Sequence, residues 1–238
     1  MRVLDTVGMI AADTSRSRAY IQALLLNGLA PGYVLMLDDE KRAEKYDENT
    51  EKKSYAAPWG EFFPHRTLQE SLRAANLILR TAPDPDINAP ETICAIAMRS
   101  EPVFIYSGFG GVILRSSVLE TGKEFLHVHG GFLPDFKGST TNYYSFLENG
   151  TCGASAIFMR PELDSGPLLL RRQWWFTSIQ EMDYCLDAAL RAQVLVQTIQ
   201  HYLENGGWPD AVLSKEENVQ GRMYYIMHPL LRHIALFG

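Results

Sequence analysis

Three consecutive segments at the N-terminus constrain this chain more than any other feature. Residues 3–12, "VLDTVGMIAA", are an apolar stretch of strand length. Residues 15–28, "SRSRAYIQALLLNG", open on serine, carry apolar positions at helical spacing and stop on glycine, as a helix does. Residues 33–39, "YVLMLDD", return to strand character. Strand, helix and strand in immediate succession form a βαβ unit, which demands a parallel strand pair and a crossover helix packed on the sheet.

The same alternation continues. "EKRAEKYDENTEKK" (40–53) is a charged run that reads as a solvated loop or helix face, with a mobile lid as the functional alternative. "TLQESLRAANLIL" predicts a helix opening on Thr67, with Glu70 three residues on as a capping box. "PETICAIAMRS" predicts a further helix and "EPVFIYSG" a buried strand, while the glycines of "SGFGGVILRSSVLE" suit a sharp turn whose backbone can approach a ligand. "EFLHVHGGFLP" reads as a strand ending at its glycines, "DFKGSTTNYYSFLENG" as a loop and helix stopped by Gly150, and "CGASAIFMR" and "LLLRRQWWF" as strands joined through the turn "PELDSGP". Residues 178–204 read as one long amphipathic helix. The expected fold is therefore α/β: a doubly wound, mostly parallel sheet in a main domain over 1–205, with 206–238 as a short C-terminal appendage. The apolar tail "GRMYYIMHPLLRHIALFG" should pack back on the domain or join two copies as a homodimer.

With 238 residues, 46% hydrophobic and 21% charged, the chain can bury a full core. Cys94, Cys152 and Cys185 are scattered, without metal or disulfide spacing, which fits a reduced cytoplasmic setting. A formal net charge of -6 argues against a nucleic-acid partner held by the overall field. Asp5 and Asp13 break the leading apolar run, so no signal peptide is expected. Gln22, Asn27, Gly28, Pro31 and Gly32 interrupt residues 19–37, so neither is a membrane span.

Chemistry concentrates in "HVHGGFLPDFKG". His127 and His129 stand two apart on a predicted strand and so point to one side. Taken with Asp164 of "LDSGP", the two histidines could be a metal site. They could instead be acid–base groups, or histidines satisfied in the core or at its rim.

The ordered set "SGFGGVIL", "HVHGGFLPDFKG" and "CGASAIFMRPELDSGPLL" resembles the folate-dependent formyltransferase family, whose members act on glycinamide ribonucleotide, methionyl-tRNA or sugars. The likeness is good over 100–172 and looser over the N-terminal βαβ unit. It implies His129 as the catalytic histidine, Asp164 as the catalytic aspartate and Leu133, Pro134 and Gly138 as the turn between them. It also implies that Gly110, Gly111, Val112, Ile113 and Leu114 bind the donor 10-formyltetrahydrofolate, with Ile113 or Leu114 packing on its face, and it implies no metal. His127 replaces the family's asparagine, and a neutral imidazole can donate one hydrogen bond to an oxyanion as the amide would. Ile157 stands where many members have a histidine. Residues 206–238 leave no room for the RNA-binding barrel of the tRNA enzymes, so the expected acceptor is the amine of a small metabolite, an amino sugar or a natural-product precursor. Hydrolysis of the donor, altered one-carbon chemistry, and folate or metabolite binding without turnover are the alternatives.

Overall fold

The structure is a computed structural model that describes residues 1–39, 41–42, 53–218 and 220–238. Most of the charged run 40–53 lies outside the described residues. The chain divides into two compact units, Met1–His127 and Val128–Gly238.

The first unit opens with strand β1 (Arg2–Ala11), helix α1 (Ser15–Leu26) and strand β2 (Leu29–Met36), the expected βαβ unit, with β1 and β2 parallel. A short antiparallel pair, β3 (Tyr55–Ala57) and β4 (Gly60–Phe62), precedes α2 (Leu68–Ala74), β5 (Leu79–Thr81), α3 (Pro90–Ala97), β6 (Val103–Ser107), α4 (Ser116–Leu119) and β7 (Glu124–His129), whose last residue pair falls past the unit boundary. Parallel pairing gives the strand order β7-β6-β1-β2-β5. Parallel strands covered on both faces lose the in–out alternation of a half-exposed sheet. Accordingly, every residue from Val7 to Ala11 of β1 and from Val103 to Ser107 of β6 is buried.

Helix α1 presses Tyr20, Ile21 and Leu24 into this core, all wholly buried. Its N-cap is Thr14, one residue before the expected serine. The predicted capping box is present: Thr67 Oγ1 accepts from Glu70 N at 3.1 Å, and Glu70 Oε2 accepts from Thr67 N at 2.8 Å. The helix it opens is shorter than expected. Asn76 takes a left-handed φ of 55°, and the apolar run beyond it becomes β5, pairing with β2. A short apolar run suits strand or helix equally, and sheet pairing settled this one.

The second unit contains β8 (Lys137–Gly138), α5 (Thr141–Asn149), β9 (Thr151–Phe158), β10 (Leu168–Trp175), α6 (Asp187–Asn205), α7 (Lys215–Asn218), β11 (Met223–Tyr224) and α8 (Pro229–Phe237). Gly150 ends α5 with φ 67°, as its sequence position predicted. β9 and β10 are antiparallel, and β11 adds in parallel to β8. The single helix expected over 178–204 is corrected: Met182–Leu186 form a π-helical turn and α6 begins only at Asp187. The tail packs back in part, burying Tyr224, Met227 and Ala235 while Tyr225, Ile226, Leu230 and Phe237 stay exposed.

One ion pair ties the first unit's helices together. Arg18, with its side chain 4% exposed, donates to both oxygens of Asp13 at 2.7 and 3.1 Å and to Pro64 O at 3.0 Å. Asp13 Oδ1 also accepts from Leu68 N at the start of α2. Removing the carboxylate takes the paired charge away from a buried guanidinium, so Asp13→Ala should lower stability by about 3 kcal/mol, the scale for a buried pair that loses one member. Urea unfolding measures this, and a change below about 1 kcal/mol would show that the clamp is not needed.

Candidate active site

In the second unit the turn after β7 is built around His129, which is 5% exposed. Its Nε2 lies 2.9 Å from Phe136 O, and its Nδ1 lies 3.4 Å from Asp164 Oδ1. A carbonyl oxygen only accepts, so Nε2 must carry a hydrogen. With that single proton the ring turns a lone pair to the carboxylate, whereas the imidazolium donates to both acceptors. The ring thus has one protein acceptor at each nitrogen, Phe136 O beside Nε2 and Asp164 Oδ1 beside Nδ1.

Asp164 is held from three directions. Its Oδ2 accepts from Gly138 N at 3.0 Å. Its backbone sits in the left-handed region at φ 51°, which aspartate enters more readily than most residues. Its carbonyl accepts from Asn218 Nδ2 at 3.0 Å, and the same amide donates to Gly166 O at 2.9 Å. The Asn218 carbonyl in turn accepts from Lys137 Nζ at 3.0 Å. Burial lowers the pKa of this lysine and the charge of Asp164 pulls it back up.

The glycines and the proline shape the turn. A Cβ on Gly131 would lie 2.6 Å from Phe136 O and 2.7 Å from His129 Nε2, so a side chain there would displace the very carbonyl that His129 contacts. Leu133–Pro134 is a cis peptide. Ser155 on β9 pins the turn, donating to Gly131 O at 2.7 Å and accepting from Leu133 N at 3.0 Å. Ile157, the family-histidine position, is 2% exposed and packs with Leu133 and Leu168, so it belongs to the core under the turn.

In the first unit His127 is half-buried, with Nδ1 3.4 Å from Tyr106 O and its ring 6.4 Å from the Tyr106 ring. The loop 110–114 presents Gly110, Gly111 and Ile113 to solvent, Ile113 being 65% exposed, whereas Leu114 is 4% exposed. Asn88 clasps this loop, donating from Nδ2 to Ile113 O at 3.1 Å and accepting at Oδ1 from Arg115 N at 2.8 Å. Among the described residues no three His, Cys, Asp or Glu side chains gather as metal ligands do. Cys152 and Cys185 have thiols pushed up to about 12 and about 11 by burial, which makes them poor nucleophiles. Asn218, Ser155 and Asn88 were not singled out from sequence, where a lone asparagine or serine carries no spacing signal.

A sequence model of the formyl transferase family matches residues 18–185, and the chain belongs to that family. Methionyl-tRNA formyltransferase of Listeria welshimeri is 29% identical over 97 residues, 39% of this chain and 31% of that protein. The corresponding protein of Rhodopirellula baltica is 26% identical over 87 residues, 36% and 26% of the two chains. The match thus spans about a third or less of these curated relatives. Among solved structures, a sugar N-formyltransferase from a Shewanella species superposes with a TM-score of 0.57 at 13% identity, covering 98% of this chain and 87% of that one. Phosphoribosylglycinamide formyltransferase from Anaplasma phagocytophilum gives 0.58 at 12% identity, covering 93% and 98%. At such identities the likeness is one of fold, and it bears out the doubly wound α/β class expected from the sequence. No helix among the described residues is long and apolar enough to cross a membrane.

The Asn218 amide bridges two carbonyls across the Asp164 turn, so Asn218→Ala should cost about 1–3 kcal/mol, the penalty for stranding buried acceptors. Chemical denaturation checks this. An unchanged midpoint would show that the turn keeps its shape without the C-terminal segment.

Proposed function

We propose that the chain is an N-formyltransferase that moves a formyl group from 10-formyltetrahydrofolate to the amine of a small metabolite, an amino sugar or a natural-product precursor. The buried His129–Asp164 pair, 3.4 Å apart, supports this most, because it brings a proton donor at the end of β7 against a proton acceptor from the turn between β9 and β10. Amine attack on a formyl carbon needs both: negative charge grows on the formyl oxygen while the attacking nitrogen must lose a proton.

The donor supplies the activated formyl carbon. In this proposal its binding falls to the loop 110–114, where Gly110 and Gly111 leave backbone accessible and Ile113 offers the exposed apolar face. Leu114, being buried, serves the loop's own packing. Asp164 takes the amine proton, directly or through water, and His129 as imidazolium donates toward the formyl oxygen; collapse of the tetrahedral adduct then breaks the bond between the formyl carbon and the donor nitrogen, which leaves with the proton the amine gave up, passed back from Asp164. Both ring nitrogens face protein acceptors in the arrangement described, so that donation replaces or shares one of these bonds, a rearrangement common when substrate binds. His127 is the second donor. Its Nδ1 faces Tyr106 O, so it too serves both that carbonyl and an oxyanion only as the imidazolium. An asparagine amide has two donors on one nitrogen, which explains how either residue can occupy the position.

A small-molecule acceptor, not a nucleic acid, agrees with the formal charge of -6. A homodimer through the C-terminal segment is part of the same proposal, supported by the exposed Leu230, Ile234 and Phe237 of α8.

Incubation with 10-formyltetrahydrofolate, with and without a panel of amines, tests the reaction. Amine-dependent loss of the donor is expected. Amine-independent loss would mean hydrolysis, and binding without loss would mean a non-catalytic protein. Asp164→Asn should keep the thermal midpoint and lose most turnover, since an amide cannot take up a proton; turnover within a few-fold of wild type would remove Asp164 from the mechanism. His127→Ala should cost on the order of 2.7–4 kcal/mol of transition-state stabilisation, as expected for one oxyanion donor, and His127→Asn should restore much of it. Equal kcat/KM for the alanine and native forms would end the oxyanion role.

A further inference from the structure

The first unit contains a cavity of about 140 Å³ that shares only Val112 with the loop proposed for the donor. Its lining includes Asp39, Asp84, Asp86, Arg42, Tyr106 and Phe109. Tyr106 is 3% exposed, and its hydroxyl has no hydrogen-bond partner among the described residues. Native interiors rarely leave a buried hydroxyl unpaired, so one that lines a cavity marks a position where a ligand group completes the bond. Burial pushes the phenol up to about 12, so at neutral pH it is an O–H that both donates and accepts.

The other walls define the ligand's charge. Three carboxylates and one guanidinium line the cavity, and Arg16 is a second cation that acts on the Tyr106 phenol; both cations are partly committed, Arg42 donating to Gly110 O at 3.2 Å and lying 4.6 Å over the Phe109 ring, Arg16 donating to Ser107 Oγ at 3.0 Å. Asp84 and Asp86 are held in place by local bonds, Asp84 Oδ1 accepting from Asp86 N at 2.7 Å and Asp86 Oδ1 from Asn88 N at 2.9 Å. A phosphate would therefore meet an excess of negative charge, whereas hydroxyls and an ammonium find acceptors. Phe109, with Leu37 and Val112, adds an apolar wall suited to the C–H face of a ring. The volume admits a six-membered ring, since a cavity of about 150 Å³ in another protein takes up benzene.

We infer that this cavity binds a six-membered, hydroxyl-bearing ring that is neutral or cationic and carries no phosphate. Its identification as part of the formyl acceptor rests on the formyltransferase proposal; the binding itself does not. A phosphate-free amino sugar has this chemistry, and a sugar phosphate does not.

The test is calorimetric or saturation-transfer NMR titration of the full chain with D-glucosamine and with glucosamine 6-phosphate. Glucosamine should bind, and the phosphate ester should bind at least about tenfold more weakly, a difference of about 1.4 kcal/mol. Tyr106→Phe keeps the ring and removes only an unpartnered hydroxyl, so it should fold with an unchanged or higher thermal midpoint yet weaken glucosamine about tenfold. Asp86→Asn keeps the turn acceptor and removes a charge, so it should narrow the gap between the two sugars. Absence of glucosamine binding, equal or tighter binding of the phosphate ester, or undiminished binding by Tyr106→Phe would each overturn the inference. Should the phenylalanine variant not fold, the Asp86→Asn comparison decides, and an unchanged gap overturns it. Amine-dependent donor loss without glucosamine binding would sink this subsite alone, whereas glucosamine binding without any donor loss would sink the formyltransferase proposal and leave the subsite standing.

Discussion

The Asp164 carboxylate faces His129 only because backbone and side chain are held together in an unfavoured conformation. A left-handed φ at a residue other than glycine persists where the surroundings over-determine it. Gly138 N fixes one carboxylate oxygen, leaving the other for His129, and Asn218 fixes the peptide carbonyl of the same residue. Each constraint alone is an ordinary hydrogen bond. Together they aim one oxygen at a ring nitrogen of His129, whose own turn has little room to relax, as the crowding around Gly131 shows.

This arrangement makes the C-terminal segment part of the second unit's site. β11 pairs with β8 at Lys137 and Gly138, and Asn218 reaches the Asp164 turn. The family match ends at residue 185, before either element. The segment expected from sequence to be an appendage thus supplies one of the hydrogen bonds that hold a proposed catalytic residue. Preorganisation of this kind matters because small displacements of an acid–base group are costly in rate.

The first unit divides its work differently. Its sheet is wrapped in apolar side chains, and its polar groups gather on the loops that follow the strands, where backbone groups no longer paired in the sheet are exposed. Asn88 is one consequence: one amide satisfies a carbonyl and an N–H of the glycine-containing loop that no ladder serves. Tyr106 is the opposite case, a residue of a fully buried strand whose hydroxyl outlasts the supply of partners among the described residues.

Features coded within a few residues were legible before any coordinates. The βαβ start, the Thr67–Glu70 capping box and the Gly150 stop depend on hydrophobic spacing, φ preferences or side chains three positions apart, which tertiary packing does little to alter, and the His-x-His, Leu-Pro and Asp-x-Gly succession is legible as an ordered set of short motifs. Two local readings failed where long-range contacts intervened: the run after Asn76 paired with β2, and the helix expected over 178–204 gave way to a π-helical turn. The roles of Asn218, Ser155 and Asn88 were hidden for a related reason. Asn218 lies 54 positions from Asp164 and Ser155 lies 24 from Gly131, and nothing in a polar residue's immediate neighbours says which distant carbonyl it will meet. Ile157 shows the same limit, since an isoleucine in a histidine's place reads as altered chemistry until its packing against Leu133 and Leu168 shows it filling the core. Local sequence could name the groups able to carry protons. Which of them share a hydrogen bond was left to folding, because that depends on chain reversals that bring distant residues within about 3 Å of one another.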